Sequence, residues 1–210
     1  MALSLFTRHT LMRSAPRVRG RGNVVSATDA LLSNVRLDIV GNFNRVTVGP
    51  GARLNNVLVF IRGDHNTVTI GARSRFNRGA ELWLDEGGVI VVGSDTSFER
   101  VHLAATEGKQ ITIGAGCMFA TDIEVRTGDS HSVLDAGSGR RLNPAADVRI
   151  GDHVWVAARA LVLKGVVVLP DTVIAAGSVV TRGCGTGGVV LAGNPARPVR
   201  TGVTWARERL

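Results

Sequence analysis

Residues 150–180 read IGDHVWVAARALVLKGVVVLPDTVIAAGSVV, and this stretch decides the fold. A branched aliphatic residue stands at every sixth position. These residues are Ile150, Val156, Val162, Val168, Ile174 and Val180. A sustained period of six fits neither the 3.6-residue period of an amphipathic helix nor the strict alternation of a simple strand. It predicts a short strand followed by a corner, with three such hexads closing one triangular turn of a parallel β-helix.

The same unit extends towards the N-terminus. A pair of Ile or Val with Gly begins at 48, 70, 92, 113 and 150, and a bulky apolar residue follows six places later. Those residues are Leu54, Phe76, Phe98, Phe119 and Val156. Spacings of 21 or 22 residues fit three hexads plus a short corner insertion, and the 37-residue spacing adds a longer loop. The sequence therefore predicts an all-β solenoid of about seven turns, with an inserted loop near 135–147.

The composition agrees with a thin core. Glycine supplies 26 of 210 residues, and the aromatic residues are six Phe and three Trp. Glycine does not recur at every third position, which excludes collagen. The aliphatic content is too high for a disordered chain, and no apolar run is long enough to predict a transmembrane helix. Small branched side chains must therefore fill the interior, and we expect Phe76, Phe98 and Phe119 to form an internal ladder.

The net charge of +8 comes almost entirely from arginine, since Lys109 and Lys164 are the only lysines. Arginine suits bidentate contact with phosphate or carboxylate, so an anionic ligand or polymer is one interpretation. A solvated surface is the other. No sequence motif of a nucleic-acid-binding fold accompanies the charge, and we expect no nucleic-acid partner.

Cys117 and Cys184 form no C-x-x-C pair, which favours a reducing compartment. Residues 1–28 hold five Arg and no acidic residue. We interpret them as a basic lead-in segment, residues 29–200 as the β-helix domain and residues 201–210 as a C-terminal tail. An organelle presequence is the alternative for the first segment.

Three features interrupt the repeat and could carry chemistry. His131 lies in the segment 126–135, in a polar cluster immediately before the long insertion. Trp155 precedes the inward Val156 and should point outward, where it could line a binding surface or contact a neighbouring subunit. Arg197 and Arg200 follow the segment Ala192-Gly193-Asn194-Pro195-Ala196 at a spacing suited to phosphate, although a solvated tail would look the same.

These residues resemble the hexapeptide-repeat acyltransferases of left-handed β-helix fold. The resemblance covers about residues 110–200 and rests on ordered motifs. The motifs are Ile150–Val156, Leu163-Lys164-Gly165-Val166, Ala175–Thr181 and Ala192–Ala196. Within the family, the Asp-Ser-His segment 129–131 with a Trp 24 residues after the His is most similar to sugar and capsular polysaccharide O-acetyltransferases, including those acting on polysialic acid.

The resemblance implies a left-handed coil, an exception to the right-handed crossover rule, and a homotrimer with active sites between subunits. It implies acetyl-CoA as acyl donor, no metal, and a sugar or polysaccharide acceptor that could be polyanionic. His131 would be the catalytic base and Trp155 a wall of the donor and acceptor channel. Ala158, Ala176, Thr181 and Arg182 would line the coenzyme path, and Arg197 and Arg200 would reach its phosphates. The implied location is the bacterial cytoplasm, with peripheral contact to the inner membrane left open.

Three positions depart from the family pattern. Ala157 and Ala158 stand where Gly or Ser is frequent, so a backbone N–H near Ala158 would have to stabilise the oxyanion. Asn143 stands where some sugar acetyltransferases carry Glu, and it could position a hydroxyl but not act as a base. Asp129 is a candidate to orient the imidazole. Cys117 should point into the core, which makes it a poor nucleophile.

Other functions fit the same repeat. A serine or amino-sugar N-acetyltransferase would use the same donor, and a non-catalytic polysaccharide-binding β-helix would need only an outer face such as the one bearing Thr47, Thr69 and Thr112. A γ-type carbonic anhydrase needs three His around zinc, two of them close in one coil. His102, His131 and His153 contain no such close pair.

Overall fold

A computed structural model describes residues 2–4, 10–12 and 16–210. All regular secondary structure in the described residues is β-strand, and the strands wind into a parallel β-helix with three flat faces. Apart from the last strand, Ala196–Thr201, each strand pairs in parallel with the strand one turn away. Face A consists of Ala2–Ser4, Val24–Ser26, Arg45–Val48, Thr67–Ile70, Val89–Val92, Gln110–Ile113, Val148–Ile150 and Val167–Val168.

Faces B and C complete the triangle. Face B consists of Thr10–Met12, the start of Leu31–Val40, Arg53–Asn55, Arg75–Phe76, Ser97–Phe98, Met118–Phe119, Trp155–Val156, Val173–Ile174, Val189–Gly193 and the antiparallel Ala196–Thr201. Face C consists of Arg17–Arg19, the end of Leu31–Val40, Val57–Arg62, Ala80–Asp85, Val101–Ala105, Ile123–Arg126, Leu161–Val162 and Val179–Val180. In the turn that begins at Val148, residues 151–154 form the A/B corner, 157–160 the B/C corner and 163–166 the C/A corner.

The hexad residues point inward and form one continuous core. Every branched residue of the six-residue series from Ile150 to Val180 is buried. The predicted phenylalanine ladder is confirmed, because Phe76, Phe98 and Phe119 stack with ring centroids 4.5 and 4.7 Å apart. Closely spaced rings of neighbouring turns fill the narrow interior.

The glycine of each repeated Ile/Val-Gly pair is required by close approach of the next turn. A methyl group on Gly71 would lie 2.5 Å from the backbone nitrogen of Ser94, and one on Gly93 would lie 2.5 Å from the carbonyl carbon of Gly114. Contacts this short do not occur for real side chains, so the corner excludes every other residue. This packing accounts for part of the high glycine content.

Buried polar residues at the corners hydrogen-bond to the adjacent turn. The Asn66 backbone N–H donates to Asn44 Oδ1 at 2.9 Å, and the Gly88 N–H donates to Asn66 Oδ1 at the same distance. Cys117 occupies a buried A/B corner, with Sγ 3.2 Å from the carbonyl oxygen of Gly151. Its burial confirms the predicted inward position, and burial raises the pKa of this thiol to about 11, which disfavours the thiolate that a nucleophile needs.

The inserted loop leaves the solenoid at the C/A corner. The face C strand ends at Arg126 and the next face A strand begins at Val148, so the loop spans 127–147. Its outer part is a small antiparallel hairpin in which Leu134 pairs with Arg141 and the Leu142 N–H donates to the carbonyl of Val133 at 2.8 Å. The loop matches the predicted insertion and extends it by eight residues towards the N-terminus.

The C-terminal segment returns along the solenoid. The strand Ala196–Thr201 forms an antiparallel hairpin with Val189–Gly193 on face B, and the chain then passes over the A/B corner. Trp205 is only 8% exposed in this segment. No helix in the described ranges is long and apolar enough to cross a membrane.

Candidate active site

The loop that carries His131 is held in shape by Asn143. The Asn143 amide nitrogen donates to the His131 carbonyl and to Asp129 Oδ2, both at 2.8 Å. Its amide oxygen accepts from the Val133 N–H at 2.7 Å. All these contacts lie within the loop, so Asn143 fixes the backbone on both sides of His131 rather than projecting an amide towards a ligand.

Two ion pairs fasten the same loop to the C/A corner. Lys164 Nζ lies 2.5 Å from Asp129 Oδ2, and Arg141 makes two hydrogen bonds of 2.6 and 2.8 Å to Glu107. The Lys164 hydrogen bond lowers the pKa of Asp129, and the Arg141 hydrogen bond lowers the pKa of Glu107. The loop is therefore anchored through its start and its hairpin, with His131 between the two anchors.

The His131 side chain itself is exposed. Asp129 uses its carboxylate on Lys164 and Asn143, and no hydrogen bond joins it to the imidazole in the part of the chain described. Its suggested role in orienting the ring therefore stays a prediction. An exposed imidazole on an anchored loop can reach a ligand or a neighbouring molecule.

Trp155 lies on face B and points outward, as its place before Val156 predicts. It stands in register between Met118 and Val173 and is half-buried. The ring of Trp205 lies 6.2 Å away and covers one side of it. On the turns that precede Trp155 in the chain, a groove of about 470 Å³ follows the outer surface of face B.

Ala158 and Ala176 occupy equivalent positions at the B/C corner, one turn apart. The Gly177 N–H donates to the Ala158 carbonyl at 2.9 Å, which fixes their stacking. Among the described residues, the N–H groups of Ala158 and Ala176 have no hydrogen-bond acceptor. Two free backbone donors at the edge of face B are suited to an oxyanion or to the amide carbonyls of an extended ligand.

The arginines of the C-terminal hairpin lie one turn beyond this corner, towards the C-terminal end of the solenoid. Arg197 pairs with Ala192 near the hairpin turn, where the Gly193 N–H approaches Ser178 Oγ of the B/C corner at 3.3 Å. Arg200 lies further along the same strand, opposite Val190. Both side chains are exposed, so both can meet a charged ligand that approaches face B.

Thr181 and Arg182 lie elsewhere. They follow the face C strand Val179–Val180 and occupy the C/A corner, one turn after Leu163 and Lys164. The structure thus brings together two groups of predicted site residues. The first group, at the C/A corner, is His131, Thr181 and Arg182. The second group, on face B and the B/C corner, is Trp155, Ala158, Ala176, Arg197 and Arg200.

Sequence reasoning missed the cluster formed by the C-terminal tail. Trp205 stacks on His153 with centroids 4.4 Å apart, and its indole N–H donates to the His153 carbonyl at 2.7 Å. His153 Nδ1 lies 2.8 Å from Asp171 Oδ1, and this contact lowers the pKa of Asp171. The only sequence signal is an aromatic residue in a tail beyond the last hexad.

The three histidines weighed for a zinc site lie on different sides of the solenoid. His102 is on face C between Glu81 and Glu124, His153 is at the A/B corner and His131 is in the loop. The described ranges contain no group of three or more His, Cys, Asp or Glu side chains that could hold a metal ion.

Comparison with known proteins supports the fold and the predicted resemblance. Residues 147–182 match the family model for the bacterial transferase hexapeptide of six repeats. The polysialic acid O-acetyltransferase of Escherichia coli O1:K1 is 31% identical over 58% of this chain and 39% of its own length. That of Neisseria meningitidis is 28% identical over 70% of this chain and 68% of its own length. The chain thus matches about two fifths of the E. coli relative.

Two crystal structures are similar over nearly the whole chain. The polysialic-acid-specific acetyltransferase NeuO superposes with a TM-score of 0.82, at 29% identity over 92% of this chain and 89% of that one. The polysialic acid O-acetyltransferase OatWY superposes with a TM-score of 0.86, at 25% identity over 94% and 93%. These matches confirm the predicted left-handed parallel β-helix of about seven turns and the predicted resemblance to acyltransferases. The chain therefore contains a segment, residues 147–182, that matches the bacterial transferase hexapeptide, and it is similar along most of its length to polysialic acid O-acetyltransferases.

Proposed function

We propose that the protein is an acetyl-CoA-dependent O-acetyltransferase that acetylates a hydroxyl group of an anionic polysaccharide of the polysialic acid class. The observation that carries this proposal is the similarity in fold and sequence to two polysialic acid O-acetyltransferases over more than nine-tenths of the chain. The exposed His131 on an anchored loop and the outward Trp155 supply groups that such a reaction needs.

The active site is shared between two subunits of a homotrimer. Face C separates the two groups of site residues in one chain, so neither group completes a site alone. The loop that carries His131 also exposes three apolar side chains, each at least 48% accessible. They are Val133, Leu134 and Leu142. A cluster of this kind on a projecting loop favours contact with another protein surface, and a second copy offers face B with Trp155.

His131 is the general base. An alcohol is too weak an acid to ionise unaided near neutral pH, and a neutral imidazole is suited to accept its proton. The acceptor oxygen attacks the thioester carbonyl as His131 takes the hydroxyl proton. The new C–O bond forms, the C–S bond breaks, and the imidazolium returns the proton to the departing sulfur of CoA. Cys117 takes no part, because its thiol is buried in the core.

The second group of residues binds the donor. The free N–H of Ala158 stabilises the oxyanion, and that of Ala176 donates a hydrogen bond to a carbonyl of the pantetheine arm. Arg197 and Arg200 hold the coenzyme phosphates from the hairpin, while Thr181 and Arg182 of the neighbouring subunit close the other side of the path. Guanidinium groups match phosphate geometry, and both hairpin arginines are exposed.

A thiol-release assay tests this proposal. Purified protein is mixed with acetyl-CoA and with polysialic acid, a neutral glucan, an amino sugar or serine, and free CoA is measured. Release above background with polysialic acid, accompanied by an O-acetyl ester on the polymer, is the expected result. Release of CoA only with the amino sugar or serine would assign an N-acetyltransferase. If none of the acceptors gave release of CoA above background, the enzymatic assignment would be removed.

A further inference from the structure

A groove on face B starts at Trp155 and follows the solenoid axis away from it. Its floor is formed by outward side chains that stand in register on successive strands. They are Arg53, Arg75, Ser97, Met118 and Trp155. Four strand spacings of ~4.8 Å separate Arg53 from Trp155, or roughly 19 Å. The groove is therefore longer than a single sugar ring and suited to an extended chain.

The groove is basic. Three guanidinium groups, those of Arg53, Arg75 and Arg207, face one carboxylate, that of Glu99. Glu99 is already engaged, because Asn77 donates to it at 2.7 Å and Arg78 lies 3.3 Å from it. No carboxylate of the described residues lies within salt-bridge distance of Arg53 or Arg75, whereas nearby Arg73 pairs with Asp95 at 2.6 Å.

Arg207 closes the groove on the side of the C-terminal tail. Its guanidinium donates to Ser97 Oγ and to the Cys117 carbonyl, both at 2.8 Å. Burial lowers the pKa of Arg207, and repulsion from Arg75 adds to this shift. Like charges held close together in a half-enclosed groove are relieved by a bound anion.

We propose that this groove binds consecutive anionic groups of a linear polysaccharide, with Arg53 and Arg75 as acceptor-binding residues remote from the reacting sugar. The inference rests on the proposed function, because Trp155, at the end of the groove, would then be a wall of the channel in which donor and acceptor meet. It goes further in assigning a chain-length preference to Arg75 and Arg53, which lie three and four turns from Trp155. Binding of a second copy of the protein to the groove is the competing outcome.

The experiment compares two double variants. Arg53→Gln/Arg75→Gln removes two charges from the groove, and Arg19→Gln/Arg45→Gln removes two exposed charges from faces C and A. One exposed ion pair contributes little, but the groove variant loses two at once. We therefore expect the KM for long polysialic acid to rise about 5–20-fold in the groove variant and less than about 2-fold in the control. The kcat, the KM for acetyl-CoA and the KM for a sialic acid dimer should not change. In the groove variant, the KM for the polymer should also depend less on salt concentration than in the wild type.

Equal polymer KM values in both variants would overturn the proposal. A fall in oligomeric mass of the groove variant, measured by light scattering, would assign the groove to a subunit interface and also overturn it. Direct binding separates this proposal from the proposed function. Fluorescence anisotropy of labelled polysialic acid without acetyl-CoA should show binding to the wild type and loss in the groove variant, even if no acceptor is acetylated. Absence of binding to the wild type would contradict the groove assignment alone.

Discussion

The two sides of the solenoid that carry predicted site residues are built in different ways. At the C/A corner, His131 sits on an irregular loop that is held by side-chain contacts from Asn143 and Lys164. On face B, Trp155 is held by strand register and covered by the tail through Trp205. The first side depends on a few polar bonds, and the second depends on the repeat. A single chain therefore separates the proposed base from the proposed binding surface, and joining two chains would combine them.

The largest effect should come from the C/A side. We expect His131→Ala to lower kcat by about 10²–10⁴-fold with little change in thermal stability, because the ring is exposed and a general base contributes on this order. Thiol release with polysialic acid measures the rate, and thermal unfolding provides the folding control. A nearly unchanged kcat would remove His131 from the mechanism.

Mixing variants tests whether the two sides meet between chains. His131→Ala and Trp155→Ala should each be impaired, but trimers containing both should regain activity at interfaces where the intact residues meet. Each mixed cyclic trimer keeps one interface of three with both residues intact, so we expect about a third of the wild-type rate once the mixed trimers are isolated.

Co-expression with two different tags, followed by purification on both, isolates the mixed trimers. A preparation of His131→Ala carrying both tags is the control. Activity of the mixed sample no higher than the two variants alone would place each site within one chain and contradict the shared arrangement.

The difference between the irregular loop at the C/A corner and the repeat on face B also explains what the sequence could predict. The hexads from Ile150 onward and the Phe76–Phe98–Phe119 ladder follow from a local period, so fold and core were predicted residue by residue. The role of Asn143 was not predictable, because its partners depend on how a loop without repeat closes on itself. The docking of Trp205 on His153 joins residues 52 positions apart and leaves no periodic signal.

A smaller effect is expected from the residue that shapes the loop. Asn143→Ala removes the donors to the His131 carbonyl and to Asp129, so the imidazole loses a fixed position while its chemistry is intact. We expect kcat to fall about 10-fold, equivalent to about 1.4 kcal/mol in the barrier, with the KM for acetyl-CoA unchanged.

Asn143→Asp distinguishes positioning from folding. The carboxylate can still accept the Val133 N–H, but it cannot donate to the His131 carbonyl, so kcat should fall at least as far as in Asn143→Ala. A parallel loss of kcat and thermal stability in both variants, or full activity in either, would contradict a positioning role.

The smallest effect is expected on face B. Arg197 is exposed, and within the described ranges its guanidinium makes one hydrogen bond, to the Ala196 carbonyl at 2.8 Å, so its remaining donors are available to a phosphate. We expect Arg197→Ala to raise the KM for acetyl-CoA about 3–10-fold, as the loss of one solvent-exposed charged contact would. The KM for the polysaccharide and kcat should stay within about twofold. Arg45→Ala, which removes an exposed charge from face A, is the control.

The groove arginines should affect the polymer and not the coenzyme. Arg197→Ala should therefore raise the KM for acetyl-CoA, whereas the Arg53→Gln/Arg75→Gln variant should raise the KM for the polymer. A rise in the polymer KM for Arg197→Ala would move the hairpin from the donor side of the site to the acceptor side.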